Sequence, residues 1–330
     1  MTRRAVILGG LAGLVLSLPA TAQEPYPTRA VRVVVPFAAG GGADLVTRAV
    51  SQQLAARLGQ PFVIDNRPGG AGTIGTEIVA RAPADGYTLI VVGPNHTTNP
   101  HLFSKLPFDP LRDFAPIALL TAAPYILLAH PALPMVGLPD LIASARSRPG
   151  QLNYGSTGNG SAGHLAMEMI KTAAAIDIVH IPYKGSPPML ADLMGGQVAF
   201  AFDNVLSSAP LVAAGRLRAL ATSSIRRSPF FPDTPTVAEA AIAPGGVAAL
   251  ADFDVTVWQA MLAPAGTSPA IVARLNHEVD AVLASATLTD RMTELGVAVI
   301  GGAPADLARF LAADLAKWAV AVRASGARLD

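Results

Sequence analysis

Apolar and polar positions along this chain fall into blocks of two lengths. Short runs rich in valine, isoleucine and aromatics end in glycine or polar turns: VRVVVPF (31–37), PFVIDN (61–66), YTLIVVG (87–93), LNYGS (152–156), IVHIPY (178–183), VAFAFDN (198–204) and LRALATS (217–223). Such runs, bounded by turn residues, predict strands. Longer segments between them space apolar residues three and four apart. In DLVTRAVSQQLAARL (44–58), Leu45, Ala49, Leu54 and Leu58 follow this spacing until Gly59 stops the helix. The C-terminal region reads as two helices, and in the second Leu307, Leu311, Leu315, Trp318 and Val322 form one packing stripe. Strands alternating with crossover helices predict an α/β architecture built on parallel sheet. The small-residue segment AIAPGGVAALAD (241–252) reads as a loop.

The first 22 residues break this pattern. Arg3 and Arg4 precede the apolar run AVILGGLAGLVLSLP, and Ala20-Thr21-Ala22 forms an A-x-A cleavage site before Gln23. A bilayer span needs about 20 apolar residues, so the short run with its small-residue site predicts a cleavable export signal rather than an anchor. The paired arginines fit an ordinary positive start for general secretion better than a twin-arginine signal. That segment carries two arginines and no acid, so the 308 residues after it hold 22 Lys and Arg against 23 Asp and Glu, a net charge of about −1. This balance gives no footprint for nucleic acid or an anionic membrane surface. The absence of cysteine excludes disulfides, thiolate metal sites and a cysteine nucleophile.

Two strand-to-helix turns, about 115 residues apart, are rich in glycine: PFAAGGGAD (36–44) and YGSTGNGSAGH (154–164). Ligands in open α/β sheets bind at the carboxyl ends of strands. Two lobes with facing turns would therefore enclose a ligand, and an exported chain of this kind reads most economically as a solute-binding protein. Gly158, Gly160 and Gly163 spell G-x-G-x-x-G, but the acidic residue a dinucleotide's ribose requires about 20 positions on is missing. What survives is a backbone that approaches a ligand closely at a positive helix start, with Ser156, Thr157, Asn159 and Ser161 as side-chain donors. Turn formation and capping account equally well for those four.

Enzyme signatures fail in turn. Neither Ser156 nor Ser161 sits in G-x-S-x-G, His277-Glu278 is not followed by a histidine at 281, and PGGAGTIG lacks the lysine of a phosphate-binding loop. The six histidines show no metal spacing, and no carboxylate pair stands out, although pairs assembled only in the fold stay open. An exported hydrolase-like enzyme with its site in the same cleft is the alternative reading.

The segments YPTRAVRVVVPFAAGGGADLVTRAV, LGQPFVIDNRPGGAGTIGTEIVARAPADGYTL, NYGSTGNGSAGHLAMEMIK, VHIPYKGSPPMLADLMGGQV and FDNVLSSAPLVAAGRLRALATSS together resemble the Bug-type extracytoplasmic solute receptors, the binding proteins of tripartite tricarboxylate transporters. The resemblance implies a two-lobed Venus-flytrap fold of the type II periplasmic class, each lobe a mainly parallel sheet flanked by helices. It implies a monomer without catalytic activity, cofactor or metal that binds a small organic acid or amino acid, not nucleic acid. The closed form would meet a membrane permease or a sensor ectodomain. Lobe 1 is expected over 23–123 and 252–330, and lobe 2 over 124–251. Carried over by position, the ligand contacts are Phe37, Ala38, Ala39, Gly40 and Gly41, with Asn95 and His96 in a turn after the third strand. The second lobe adds Ser156, Thr157, Asn159, Gly160, Ser161, Tyr183 and Asp203. Asp44 reads as helix-start stabilisation, and His164 as structural. The connection through 241–252 is longer than usual for the family.

Overall fold

The computed structural model describes residues 26–229, 231–325 and 328–329; the export segment expected over 1–22 lies outside them. The described chain runs β1 (Val31–Val35), α1 (Gly42–Leu58), β2 (Phe62–Asn66), α2 (Thr73–Ala80), β3 (Thr88–Val92), α3 (Asn95–Leu102) and β4 (Phe114–Ala129). It continues through α4 (Leu138–Ser147), β5 (Asn153–Ser156), α5 (Ala162–Ala174), β6 (Val179–Pro182), α6 (Ser186–Met194), β7 (Phe200–Asn204), α7 (Val205–Ala213), β8 (Arg218–Thr222) and α8 (Val237–Ile242). The remainder is β9 (Thr256–Pro264), α9 (Pro269–Leu283), α10 (Ala286–Glu294), β10 (Ala298–Val299) and α11 (Pro304–Ser325).

All seven short apolar runs form strands. In lobe 1, β1 pairs in parallel with β2 and β3; in lobe 2, β5 pairs in parallel with β6 and β7. Two antiparallel strands tie these units together, so the sheet as a whole is mixed. β9 lies between β3 and β4, and β4 changes partner along its length: it pairs β9 from Phe114 to Pro124, then β7 and β8 from Tyr125. The 16-residue β4 escapes the short-run pattern because Pro116 and Pro124 interrupt FAPIALLTAAPYILLA. Proline lacks a ladder donor and belongs at bulges or edges in a sheet. Here the β4–β9 register slips between Pro116 and Ala118, and Pro124 stands where the partners change.

Two further segments differ from expectation. GPNHTTNP is not a turn: it opens helix α3, after Pro94. The 241–252 segment is not wholly loop, since α8 runs to Ile242 and a 3-10 turn covers Ala248–Leu250.

The stripe on α11 buries Leu307, Leu311, Trp318 and Val322. A buried Val, Leu or Met side chain is worth about 1.5–3 kcal/mol relative to exposure, so the stripe anchors the helix firmly. Asp314 adds a polar clamp: its Oδ2 accepts from Thr97 Oγ1 at 2.6 Å, Trp318 Nε1 at 3.2 Å and Trp258 Nε1 at 3.3 Å. The clamp ties α11 to α3 and β9, which sets where α3 presents its first turn. α11 also packs against α5, so the C-terminal helix touches both lobes.

Candidate functional site

Strand ends build the cleft. β1 runs through Pro36–Gly41 into α1, whose N-cap Gly41 supplies no side-chain cap. The first N–H groups of a helix lack intrahelical acceptors and lie at the positive end of its dipole, so an uncapped start favours an anion. Gly41, Gly42 and Ala43 of this start line the cleft. Asp44, one residue further, faces the opposite way. It is buried and accepts from Gly40 N at 2.9 Å, Arg48 Nε at 2.8 Å and Asn66 Nδ2 at 3.0 Å. Burial favours its neutral form, but the bonds from Arg48, Gly40 and Asn66 outweigh that and hold the carboxyl below its usual value. Asp44 therefore shapes the glycine turn and leaves the cleft free of its charge.

The facing wall belongs to lobe 2: Thr157 after β5, Gly185 and Ser186 at the start of α6, and Asn204 at the end of β7. Asn204 is held on every side. Its Oδ1 accepts from Ser207 N at 3.1 Å as the α7 cap, and its Nδ2 donates to Ser186 Oγ at 3.0 Å and Asp203 Oδ1 at 3.2 Å. Ser186 Oγ in turn donates to Asp203 Oδ1 at 2.5 Å.

The lobes stand closed on each other. A Cβ placed on Gly42 would lie 2.4 Å from Asn204 Oδ1, and one on Gly185 would lie 3.1 Å from Ala38 Cβ. Thr98 Oγ1 of α3 donates to Gly160 O at 2.8 Å, directly across the gap. The cleft between the lobes has a volume of about 50 Å³ and is floored by Tyr125, Val257 and Gln259 from the two crossing strands. None of its described lining residues is charged.

Among the residues expected to touch a ligand, Phe37, Ala38, Gly41, Asn95 and Thr157 line this cleft. Phe37 and Thr157 also face a second, more open chamber of about 330 Å³, where Asn159 and Tyr183 lie. The Tyr183 hydroxyl donates to Asp192 at 2.7 Å; burial, then this bond, pushes it up to about 12.

The other expected contacts are placed elsewhere. Ala39 is exposed and lines neither space. Gly40 spends its amide on Asp44. Gly160 spends its N–H on His164 Nδ1, at 3.1 Å, and its carbonyl on Thr98. Ser161 caps α5 by accepting from His164 N. Ser156 is fully buried, with Oγ 2.7 Å from His180 Nε2 and bonded to Gly158. That serine–histidine distance suits a nucleophile and base, but no substrate reaches a sealed hydroxyl.

His96 points into the lobe 1 core, stacked against Phe108 and edge-on to Phe114. Its Nε2 donates to Pro110 O at 2.8 Å, which leaves a bare, buried Nδ1; burial pulls its pKa down to about 4. Asp203 is fully buried behind Ser186 and Asn204, with Oδ2 unpartnered, and burial pushes it up to about 7 against the bonds from those two residues. Neither lines the cleft. The third glycine of G-x-G-x-x-G has a packing role: a Cβ on Gly163 would meet Phe202 O at 2.8 Å, so α5 lies close on β7.

The Thr98–Gly160 bond exists only across the closed gap and yields a direct prediction. Thr98→Val keeps the shape and leaves a buried carbonyl unpaired, a cost of about 1–3 kcal/mol borne by the closed form. Solute affinity should fall by roughly 5- to 150-fold in a calorimetric titration, with far-UV dichroism unchanged. Equal affinity would remove Thr98 from closure.

Two α/β lobes joined by crossing strands and closing over a backbone-lined cleft define a solute-binding protein. The chain belongs to the tripartite tricarboxylate transporter family of receptors, whose family model matches residues 46–327. Among relatives, it is 34% identical to the protein BugT of Bordetella pertussis, across 100% of this chain and 99% of that one. It superposes on the structure of R. palustris Rpa4515 with adipate at a TM-score of 0.86, with 40% identity over 92% of this chain and 100% of that one. It matches MatC (Rpa3494) from Rhodopseudomonas palustris with bound malate at 0.84, with 35% identity over 90% and 100% of the two chains.

Proposed function

We propose that this protein is a non-catalytic periplasmic receptor that captures a small carboxylate-bearing solute between its lobes. Closed, it hands the solute to the membrane permease of a tripartite transporter or presents it to a sensor ectodomain. The observation that carries this reading is the uncapped start of α1 opening into a closed cleft without charged lining. Such a site holds an anion by backbone N–H groups and the helix dipole, a contribution of about 0.3–1 kcal/mol at an exposed helix end and up to ~2 kcal/mol when partly buried. The adipate and malate bound by the two solved relatives agree with it in chemistry.

The proposed contacts are Phe37, Ala38, Gly41, Asn95 and Thr157, joined by Gly42, Ala43, Ser186 and Asn204. Periplasmic placement rests on the export pattern of residues 1–22. The lobes divide as 23–123 with 252–330, and 124–251. Supporting this division, β4 changes partners between Pro124 and Tyr125, and Val255 N donates to Ser223 O just before Thr256 pairs Pro124. The two crossings then serve as the hinge, and the receptor works as a monomer without cofactor.

Thermal-shift screening of the purified protein against mono- and dicarboxylates and amino acids tests the reading, supported by native mass spectrometry for retained ligand. A stabilising acid with a 1:1 mass shift is the expected result. A panel in which no acid raises the melting temperature would reject it.

A further inference from the structure

Two hydrogen-bonding groups on the cleft floor have no partner among the described residues. Gln259 of β9 is almost fully buried and lines the cleft. Opposite it in the β4–β9 ladder, Thr121 is fully buried and donates from Oγ1 to Gln259 Oε1 at 2.5 Å. In this arrangement the amide oxygen is turned to Thr121, and the NH₂ is left over. Gln259 Nε2 bonds to nothing among the described residues and is not sealed from solvent. The same holds for the hydroxyl of Tyr125, which lines this floor from the point where β4 passes between the lobes. Water can serve both donors in the free protein, but a ligand that displaces it without offering an acceptor leaves each unmet at a cost of about 1–3 kcal/mol, so two such donors on one cleft floor point to an acceptor brought by the ligand.

We infer that Gln259 and Tyr125 are specificity-determining residues that take a second oxygen acceptor of the solute, with Thr121 as the positioning residue of the Gln259 amide. The inference rests on the carboxylate reading above and narrows it. One end of the solute sits at the start of α1; the other must carry an oxygen that accepts from an amide and a phenol. A plain aliphatic monocarboxylate leaves both donors unpaired and is selected against, as sites built to bond an oxygen reject ligands that lack it. With no lysine or arginine among the described residues that line the cleft, the second group is read by hydrogen bonds and not by charge. A carboxylate and a carboxamide at that end therefore compete on similar terms.

Calorimetric titration of the full chain with succinate, succinamate and butyrate tests this, together with Gln259→Leu, Tyr125→Phe and Thr121→Val. In the unaltered protein, succinate and succinamate are expected to bind at least about 10-fold more tightly than butyrate, and within about 10-fold of each other. Gln259→Leu should shrink the preference for the two-headed acids several-fold while butyrate affinity stays. Thr121→Val should do the same to a smaller degree, through a freed amide. Tyr125→Phe removes only a hydroxyl and gives the same readout should the leucine variant fail to fold. Equal binding of butyrate and succinate, or variants that weaken all three ligands alike, would overturn the inference while leaving the carboxylate reading intact. Binding of none of the three acids would overturn the inference, and failure of the whole acid panel as well would overturn both.

Discussion

Replacing Gly42 with alanine should weaken solute binding by roughly 5- to 150-fold while both lobes stay folded. The added Cβ would stand 2.4 Å from Asn204 Oδ1, well inside contact distance. A flexible side chain would swing away, but the Asn204 amide is anchored by Ser207 N, Ser186 Oγ and Asp203 Oδ1. The cheaper response is for the lobes to stay apart. Overpacking of this kind costs about 1–3 kcal/mol, and the cost falls on the closed form alone, because in an opened form α1 and β7 no longer face each other. Calorimetry should show the loss of affinity, and small-angle scattering should show a larger radius of gyration that solute no longer reduces. Pairing the change with Asn204→Ala removes the opposing amide and should recover part of the lost affinity, a coupling that a double-mutant cycle isolates. Unchanged affinity in the single variant would mean that the cleft binds without closing this far.

The parts of this site that were legible in the sequence are those made by local pattern. Valine-rich runs ending in PFAAGGG and YGSTGNGSAG announce strands that deliver glycine turns to one sheet end, and both turns reach the cleft through Phe37, Ala38, Gly41 and Thr157. What a turn residue does once there depends on partners distant in sequence. Gly160 loses its carbonyl to Thr98, 62 positions away, and Asp203 retires behind Ser186, 17 positions away. His96 had the chemistry of a ligand contact and was drawn instead into an apolar nest of Phe108 and Phe114. Gly42 and Asn204 lay one residue beyond residues singled out as ligand contacts. Tyr125 and Gln259 carried no signal of their own, since they lie on crossing strands, β4 broken by prolines and β9 buried along almost its whole length, that show neither alternation nor turn chemistry.

The two buried groups that turned out not to line the cleft should act on how stability responds to acid with opposite signs. The folded pKa of His96 is lowered from 6.5 to about 4. Its contribution is complete above pH 6.5 and is lost as pH falls through that window to about 4, a loss on the order of 3 kcal/mol. The folded pKa of Asp203 is raised from 3.8 to about 7. Its contribution is complete below pH 3.8 and is lost as pH rises through 7, on the order of 4 kcal/mol. Between pH 7.5 and 4.5 the two largely cancel. The unaltered protein should therefore lose stability toward acid mainly through His180, which burial and the neighbouring His164 and Lys171 bring down to about 3 and which no opposing group offsets. Asp203→Asn removes the compensating group and should make the protein lose about 3 kcal/mol more than the unaltered chain between pH 7.5 and 4.5. His96→Gln keeps a donor for Pro110 and should instead lose about 2–3 kcal/mol less than the unaltered chain over the same interval, whatever its cost at neutral pH. Urea unfolding of the three proteins at both pH values measures the slopes directly. Parallel slopes for Asp203→Asn and the unaltered chain would show that the Asp203 carboxyl is already ionised in the folded protein at pH 4.5, and that its unpartnered oxygen is solvated in a way the closed cleft does not provide.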